Sequence, residues 1–312
     1  MIVQRLSRTG SPTGLVMAAF TLAHLSDPHL PPLPAVRLRD LMGKRALGYL
    51  NWTRNRHKYQ RRDVLDALVS DMHGQAPDHI AVTGDFVNLA LDAEFAPARA
   101  WLDSVGTPDR VSIVPGNHDA YVGATRHRFE ATFGNYLGSD DASNSGGTFP
   151  FLRRRGPLAL IGVSSAVPTP PLMATGWLGR DQLDALDKLL VRLSIEPLFR
   201  VLLIHHPLRS NSRAKRLTDS PKLCALLKRH GVELILHGHD HIHSTMWIDG
   251  PGNAIPAIGV PSASALAHGR YPGAAYNLFS IERDGNAWRC QQTVRGIDDD
   301  LRVRQLSDIR LI

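Results

Sequence analysis

Along this chain, short apolar runs that stop at Gly, Asp, Asn or His alternate with longer stretches whose apolar residues recur every three or four positions. The short runs, 20–26, 79–83, 111–114, 158–163, 201–204 and 232–236, have the length of strands, and most are bounded by turn residues. The longer stretches predict helices. One, over 60–73, puts Val64, Leu65, Leu68 and Met72 on a single face, and a second, over 180–193, does so with Leu183, Leu186, Leu190 and Leu193. A third begins at Ser220, with Pro221 at the first helical position, and stops at Gly231. Beyond His243 the pattern returns to strands, with 276–282 and 287–294 flanking an Asp284-Gly285 turn. This rhythm predicts an α/β layered fold. With no internal repeat and no Pro- or Ser-rich linker, 17–312 is expected to be one domain. Residues 1–16 lack periodicity and precede a second methionine, Met17, so they are read as a disordered leader.

Composition narrows the class without naming a function. At 312 residues, 43% hydrophobic and 21% charged, the chain has enough apolar material for a large core and no low-complexity tract, which excludes a disordered or fibrous protein. Two cysteines exclude a disulfide scaffold. No run approaches the roughly 20 apolar residues of a membrane-spanning helix, and the first residues lack a signal-peptide stretch, so a cytoplasmic protein is expected. The formal net charge of +7 favours anionic partners such as phosphates or a membrane surface. Nucleic acid is not expected, since no recognised binding module is present.

The chemistry-bearing residues fall where the apolar runs end: Asp27 and His29, Asp85, Asn117 to Asp119, His205 and His206, and His237 to His241. In a layered α/β fold the strand ends converge on one edge, where ligand sites are built. Each block alone is a common turn sequence. Together and in order they form a mixed set of carboxylate, amide and imidazole donors, which suits Mn, Fe or Zn and exceeds what one tetrahedral ion needs. Two metals sharing a carboxylate fit that number.

The ordered series Asp27-x-His29, Gly84-Asp85, Gly116-Asn117-His118-Asp119, His205 and Gly238-His239-x-His241 resembles the calcineurin-like metallophosphoesterase superfamily over about 20–282. Within it, Gly176-Trp177-Leu178-Gly179 and Gln182-Leu183 before the fourth block resemble the bacterial cyclic-nucleotide phosphodiesterase-like, class III branch. The resemblance implies a layered β-sandwich flanked by helices. It also implies one metal held by Asp27, His29 and His241, a second by Asn117, His205 and His239, and Asp85 bridging both. His118 becomes the catalytic imidazole, protonating the leaving oxygen after a hydroxide shared by the metals attacks phosphorus. Where some relatives place Asp three residues after the bridging carboxylate, this chain has Asn88, which leaves Asp119 or a backbone carbonyl to orient His118. Strand alternation cannot aim His205 and His206 alike, so His206 is expected behind the ligands or facing substrate, with Arg209 as a further candidate there.

Outside these blocks, His24 reads as a hydrogen-bonded core residue on the face opposite Asp27. His57, His73, His79, His127, His230 and His268 read as structural or surface residues. The stretch 37–62 matches no block of the superfamily. Its Leu41, Leu47, Tyr49, Leu50 and Trp52 interleave with Lys44, Arg45, Arg54, Arg56, Lys58, Arg61 and Arg62, which is the composition of a solvated face or of an amphipathic lid over an anionic substrate. The expected function is hydrolysis of a cyclic nucleotide or other small phosphodiester. A membrane-peripheral hydrolase of a lipid-linked phosphodiester or pyrophosphate, and a catalytically silent binding module, are the alternatives.

Overall fold

A computed structural model describes residues 19–41, 43–123, 125–141 and 148–312, so the expected leader 1–16 lies outside the described residues. Two mixed six-stranded sheets stack face to face. In the first the order is β12 (Val303–Arg310), β11 (Ala287–Ile297), β10 (Ala275–Asp284), β1 (Phe20–Leu25), β2 (His79–Val82) and β3 (Val111–Ile113). In the second it is β4 (Phe151–Arg155), β5 (Leu158–Gly162), β6 (Phe199–Leu203), β7 (Leu234–His237), β9 (Ile255–Gly259) and β8 (Ser244–Ile248). The strands β1, β2 and β3 run parallel, as do β5, β6, β7 and β9.

Side-chain alternation explains the layering. Leu158, Leu160, Val201, Leu203, Leu234 and Leu236 point inward and join Leu22, Val82 and Ile113 of the other sheet in one buried cluster. Their neighbours Ala159, Ile161, Leu202, Ile204 and Ile235 point outward, under α6 (Arg180–Leu193) and α7 (Ser220–His230), whose leucines complete a second cluster. Across the molecule, α3 (Arg62–Gly74) and α4 (Asp92–Val105) cover the first sheet with Val64, Leu65, Leu68, Phe95, Trp101 and Leu102. This is the expected α/β sandwich flanked by helices.

The expected strands and the helices α3, α6 and α7 are present within a few residues of their sequence bounds. Four strands and one long helix escaped the pattern. The helix α4 carries Pro97 in its interior, a residue that forfeits a backbone hydrogen bond. Its start is held instead by Glu94, whose buried carboxylate accepts the N–H groups of Asn88, Leu89 and Leu91. The strand β4 hides behind three consecutive arginines, of which Arg153 is only 3% exposed. Its guanidinium donates to the carbonyls of Pro108, Val111, Asn135 and Gly138, tying β4 to the loops around β3.

The basic stretch 37–62 folds as α1 (Lys44–Asn51), a π-helical turn (Trp52–Arg56) and the short α2 (His57–Tyr59). Arg45 donates to the carbonyls of Leu89 and Ala90 at one end. At the other, the backbone of Tyr59 and Arg61 pairs with Leu266 and Ser264 in the loop after β9. Leu47 and Leu50 are 44% and 42% exposed, whereas Trp52 is 8% exposed. The tryptophan is thus turned inward, while the two leucines reach solvent.

Removing the Arg153 guanidinium leaves four backbone carbonyls short of a charged donor. Arg153→Met should therefore lower unfolding stability by roughly 3 kcal/mol, the scale of hydrogen bonds to a charged group. A denaturant midpoint equal to that of the wild type would show that the tie carries no stability.

Candidate metal centre

The parallel strands β1, β2, β3, β6 and β7 all end on one edge of the sandwich, and each delivers candidate ligands from the loop that follows it. Backbone bonds sew these loops together. Asp27 N–H donates to Gly84 O at 3.0 Å, His29 N–H to Asp85 O at 2.9 Å and Gly238 N–H to His205 O at 3.1 Å, while Ser262 Oγ donates to Asp27 O at 2.7 Å. Asp27, His29, Asp85, His239 and His241 all adopt positive φ, between 36° and 73°, a region that non-glycine residues seldom occupy. Such concentrated strain persists only where surrounding structure enforces it, and it is a mark of a working site. Two motif glycines make room: a Cβ on Gly116 would overlap the Asp85 carboxylate, and one on Gly238 would overlap Ser26 and Asp27.

All seven candidate ligands are brought together, as two groups that share Asp85. Around the first, His241 Nε2 lies 3.0 Å from Asp27 Oδ1 and 3.3 Å from His29 Nε2, and His29 Nε2 lies 3.7 Å from Asp85 Oδ2. The coordinating atoms of Asp27, His29, Asp85 and His241 all fall within 4.8 Å of one another. Around the second, Asn117 Oδ1 lies 2.8 Å from His239 Nδ1 and 3.2 Å from His205 Nε2, and His205 Nε2 lies 3.4 Å from Asp85 Oδ2.

The far ring nitrogens fix which lone pairs face inward. His205 Nδ1 donates to Thr83 O at 2.7 Å and His29 Nδ1 to Val87 O at 3.3 Å, which turns each Nε2 toward the cluster, where in the neutral imidazole it is a bare acceptor. Acceptors crowded on acceptors at about 3 Å repel unless a cation stands among them. Electrostatics makes the same demand. Burial raises the carboxyl of Asp27, but His241, His205 and His29 reverse this and hold it well below the usual range. Burial lowers His205, yet the charge and hydrogen bond of Asp85, together with the Asp27 charge and the Thr83 carbonyl, outweigh it and push the imidazole up to about 10. The buried carboxylates draw positive charge by whatever route is open, and the donor set fits transition metals.

Behind the ligands, Asp119 accepts the N–H groups of Asp85, Phe86, Val87 and Gly116 at 2.8–3.2 Å and so fixes the two loops that carry Asp85 and Asn117. It does not hold His118. That imidazole donates from Nδ1 to the backbone carbonyl of Asn88, and its Nε2 accepts from Arg56 Nη2 at 3.2 Å. Because a carbonyl can only accept and a guanidinium can only donate, both contacts specify the neutral Nδ1–H form. The Asn88 side chain, which replaces an acid of some relatives, takes no part.

His206 is buried, with Nδ1 2.7 Å from Ser165 Oγ and Nε2 3.2 Å from Ala174 O, and its ring packs 4.4 Å from that of His239. It backs the ligands and does not face the cleft. Arg209 is exposed beyond the buried Leu208 and lines neither cavity at the site, so the structure does not bring it to the ligands. His24 is the expected core residue, 2.9 Å from Thr83 Oγ1 and lowered to about 3 by burial. His268, read as structural or surface, instead lines the cleft and stacks on Tyr59 with ring centres 3.9 Å apart.

Two adjoining cavities open over the cluster. One, of about 550 Å³, reaches over Asp85, Asn117, His239 and His241 toward Tyr59, His268 and Tyr271. The other, of about 360 Å³, extends past His118 toward Lys44, Trp52 and Tyr121. Arg56 and Lys215 line both. Lys44 and Arg56 were named only as part of a stretch read as a solvated face or an amphipathic lid, and Lys215, in an ordinary basic run from Arg213 to Arg216, was not singled out.

Comparison with known proteins places these features. The model of the calcineurin-like phosphoesterase family matches residues 20–243. No curated protein sequence matches the chain. Among solved structures, a dimetal phosphatase from Danio rerio superposes with a TM-score of 0.64 at 13% identity, covering 94% of this chain and 99% of that one. A purple acid phosphatase from yellow lupin, Lupinus luteus, superposes with a TM-score of 0.57 at 10% identity, covering 94% of this chain and 53% of that one. At such identities the likeness is one of fold.

Loosening the loops behind the ligands should loosen a metal. Asp119→Asn keeps the shape but removes the carboxylate that gathers four N–H groups, so affinity for Mn(II) or Zn(II) should fall by about 10–100-fold with the far-ultraviolet circular dichroism unchanged. Undiminished metal per chain at limiting metal would assign Asp119 a purely structural role.

Proposed function

The chain belongs to the calcineurin-like phosphoesterase family, and on that premise we propose that it hydrolyses a phosphodiester, a cyclic nucleotide or another small diester, at the cluster centred on Asp85. The observation that carries this reading is the pair of ligand groups sharing one carboxylate at the floor of a cationic cleft. Asp27, His29 and His241 would hold one metal, Asn117, His205 and His239 a second, with Asp85 between them. When bound, two such ions supply charge neutralisation at phosphorus and a lowered pKa for water. The Danio rerio structure is of a dimetal phosphatase, which supports the same assignment.

This chain's own residues do the rest. Arg56 and Lys215, at the junction of the two cavities, meet the phosphate oxygens as it settles against the cluster. His118 faces that position through Nε2, since Nδ1 is committed to Asn88 O. A phosphate oxygen that takes over the Arg56 N–H frees Nε2, which can then take up a proton from solvent and pass it to the leaving oxygen. The two cavities extend in different directions from His118, and that room for two ester arms favours a diester over a monoester.

Assays with p-nitrophenyl monoesters and diesters test both parts. Hydrolysis should require Mn(II), Zn(II) or iron, cease with chelator and return on metal addition, with the diester the better substrate. Asp85→Asn should remove activity from a folded protein, and His118→Asn should lower kcat by about 10² to 10⁴-fold with metal content kept. Chelator-insensitive turnover would refute the metal assignment. A faster monoester would refute the diester preference.

A further inference from the structure

We infer that the cavity beyond His118 is a second anion site, which receives another phosphate group of the same substrate a short linker away from the scissile one. The inference rests on the phosphoesterase reading for its substrate, and on Lys44, which lines this cavity and not the other, for its own evidence. Lys44, Arg56 and Lys215 all line this cavity, and no carboxylate does. The neighbouring cavity, by contrast, includes Asp85 and Asp240.

These cations are half-buried, yet among the described residues none of them forms an ion pair. Lys44 Nζ donates to Thr169 Oγ1 at 2.6 Å and lies 4.5 Å from the ring centre of Tyr121, while Arg56 spends one N–H on His118. Several donors of each group are left for a ligand. Partly desolvated charges without a counter-ion are costly, and in line with this, burial lowers Lys44 to about 8. Lys44 lines the cavity beyond His118 and not the one over the ligands, and neither it nor Arg56 hydrogen-bonds Asp27 or Asp85.

The choice of phosphate follows from the donor types. An Arg fork with two ammonium groups offers more donors than one carboxylate can accept and suits the three oxygens of a terminal phosphate. Leu47, Trp52, Leu89 and Leu172 give the same cavity an apolar side, so a flat or apolar moiety beside that phosphate is accommodated. Six residues, Asn51, Arg56, Asn117, His118, Ala174 and Lys215, are common to both cavities, so one ligand can span them.

A matched pair of ligands isolates the second phosphate. Binding of thymidine 3′,5′-bisphosphate and of thymidine 5′-phosphate is measured by calorimetry on the full-length protein, as purified and with added Mn(II). The bisphosphate should bind at least about tenfold more tightly, with the advantage shrinking at high salt as exposed charges are screened. Lys44→Met should bring the affinity ratio toward one, with circular dichroism unchanged. Lys44→Gln repeats the test should the Met variant misfold. Equal affinities in the wild type, or a ratio preserved in the folded variants, would overturn the inference. A preserved preference for the bisphosphate in a protein that hydrolyses no ester would support this site and count against the phosphodiesterase reading.

Discussion

The structure is organised around one electrostatic problem, the burial of Asp27 and Asp85 amid imidazole and amide groups whose lone pairs all point at the same small volume. Asp85 stands between the two halves, 3.7 Å from His29 and 3.4 Å from His205. Left to themselves such groups would repel and the loops would spread. What prevents this is covalent and hydrogen-bonded to the sandwich: five parallel strands end together, their loops exchange backbone bonds, and five ligands accept left-handed backbone as the result. The large buried core offsets this local cost, and the repulsion becomes the affinity of the site for cations.

The same logic extends outward through Asp119 and Glu94. Each is a buried carboxylate that accepts several backbone N–H groups, and each fixes a loop rather than touching substrate. Glu94 holds the turn at 88–91, the carbonyl of Asn88 in that turn holds His118, and Arg45 closes the turn from the other side. The missing acid at position 88 is thereby replaced by a main-chain oxygen, which orients an imidazole without adding charge.

Much of this was legible because period and punctuation are local. Alternation in β5, β6 and β7 and the leucine stripes of α6 and α7 report burial directly, and the stop of each apolar run locates a strand end. The ligand blocks were readable for the same reason, since each sits within a few residues of such a stop. Elements stabilised by distant partners were not. The arginines of β4 look solvent-exposed until the carbonyls of Pro108, Asn135 and Gly138 are known, and Pro97 argues against a helix that Glu94 initiates. Arg56 could be counted among many cations but not placed, because its position depends on a π-helical turn and on an anchor some 200 residues away.

That anchor ties recognition to the ligand loops. The segment Ser262 to Leu266 supports the Asp27 carbonyl through Ser262 Oγ and, a few residues on, pairs with Tyr59 and Arg61 at the end of the basic stretch. Arg45 makes the matching connection at the start, to the turn that orients His118. The stretch 45–61 is therefore tied at one end to the turn that orients His118 and at the other to the loop that supports the Asp27 carbonyl, which sets its cations relative to the ligand cluster. A guanidinium so placed can meet an anion at a defined distance from the cluster, whereas the same charge on a mobile segment would add only long-range attraction.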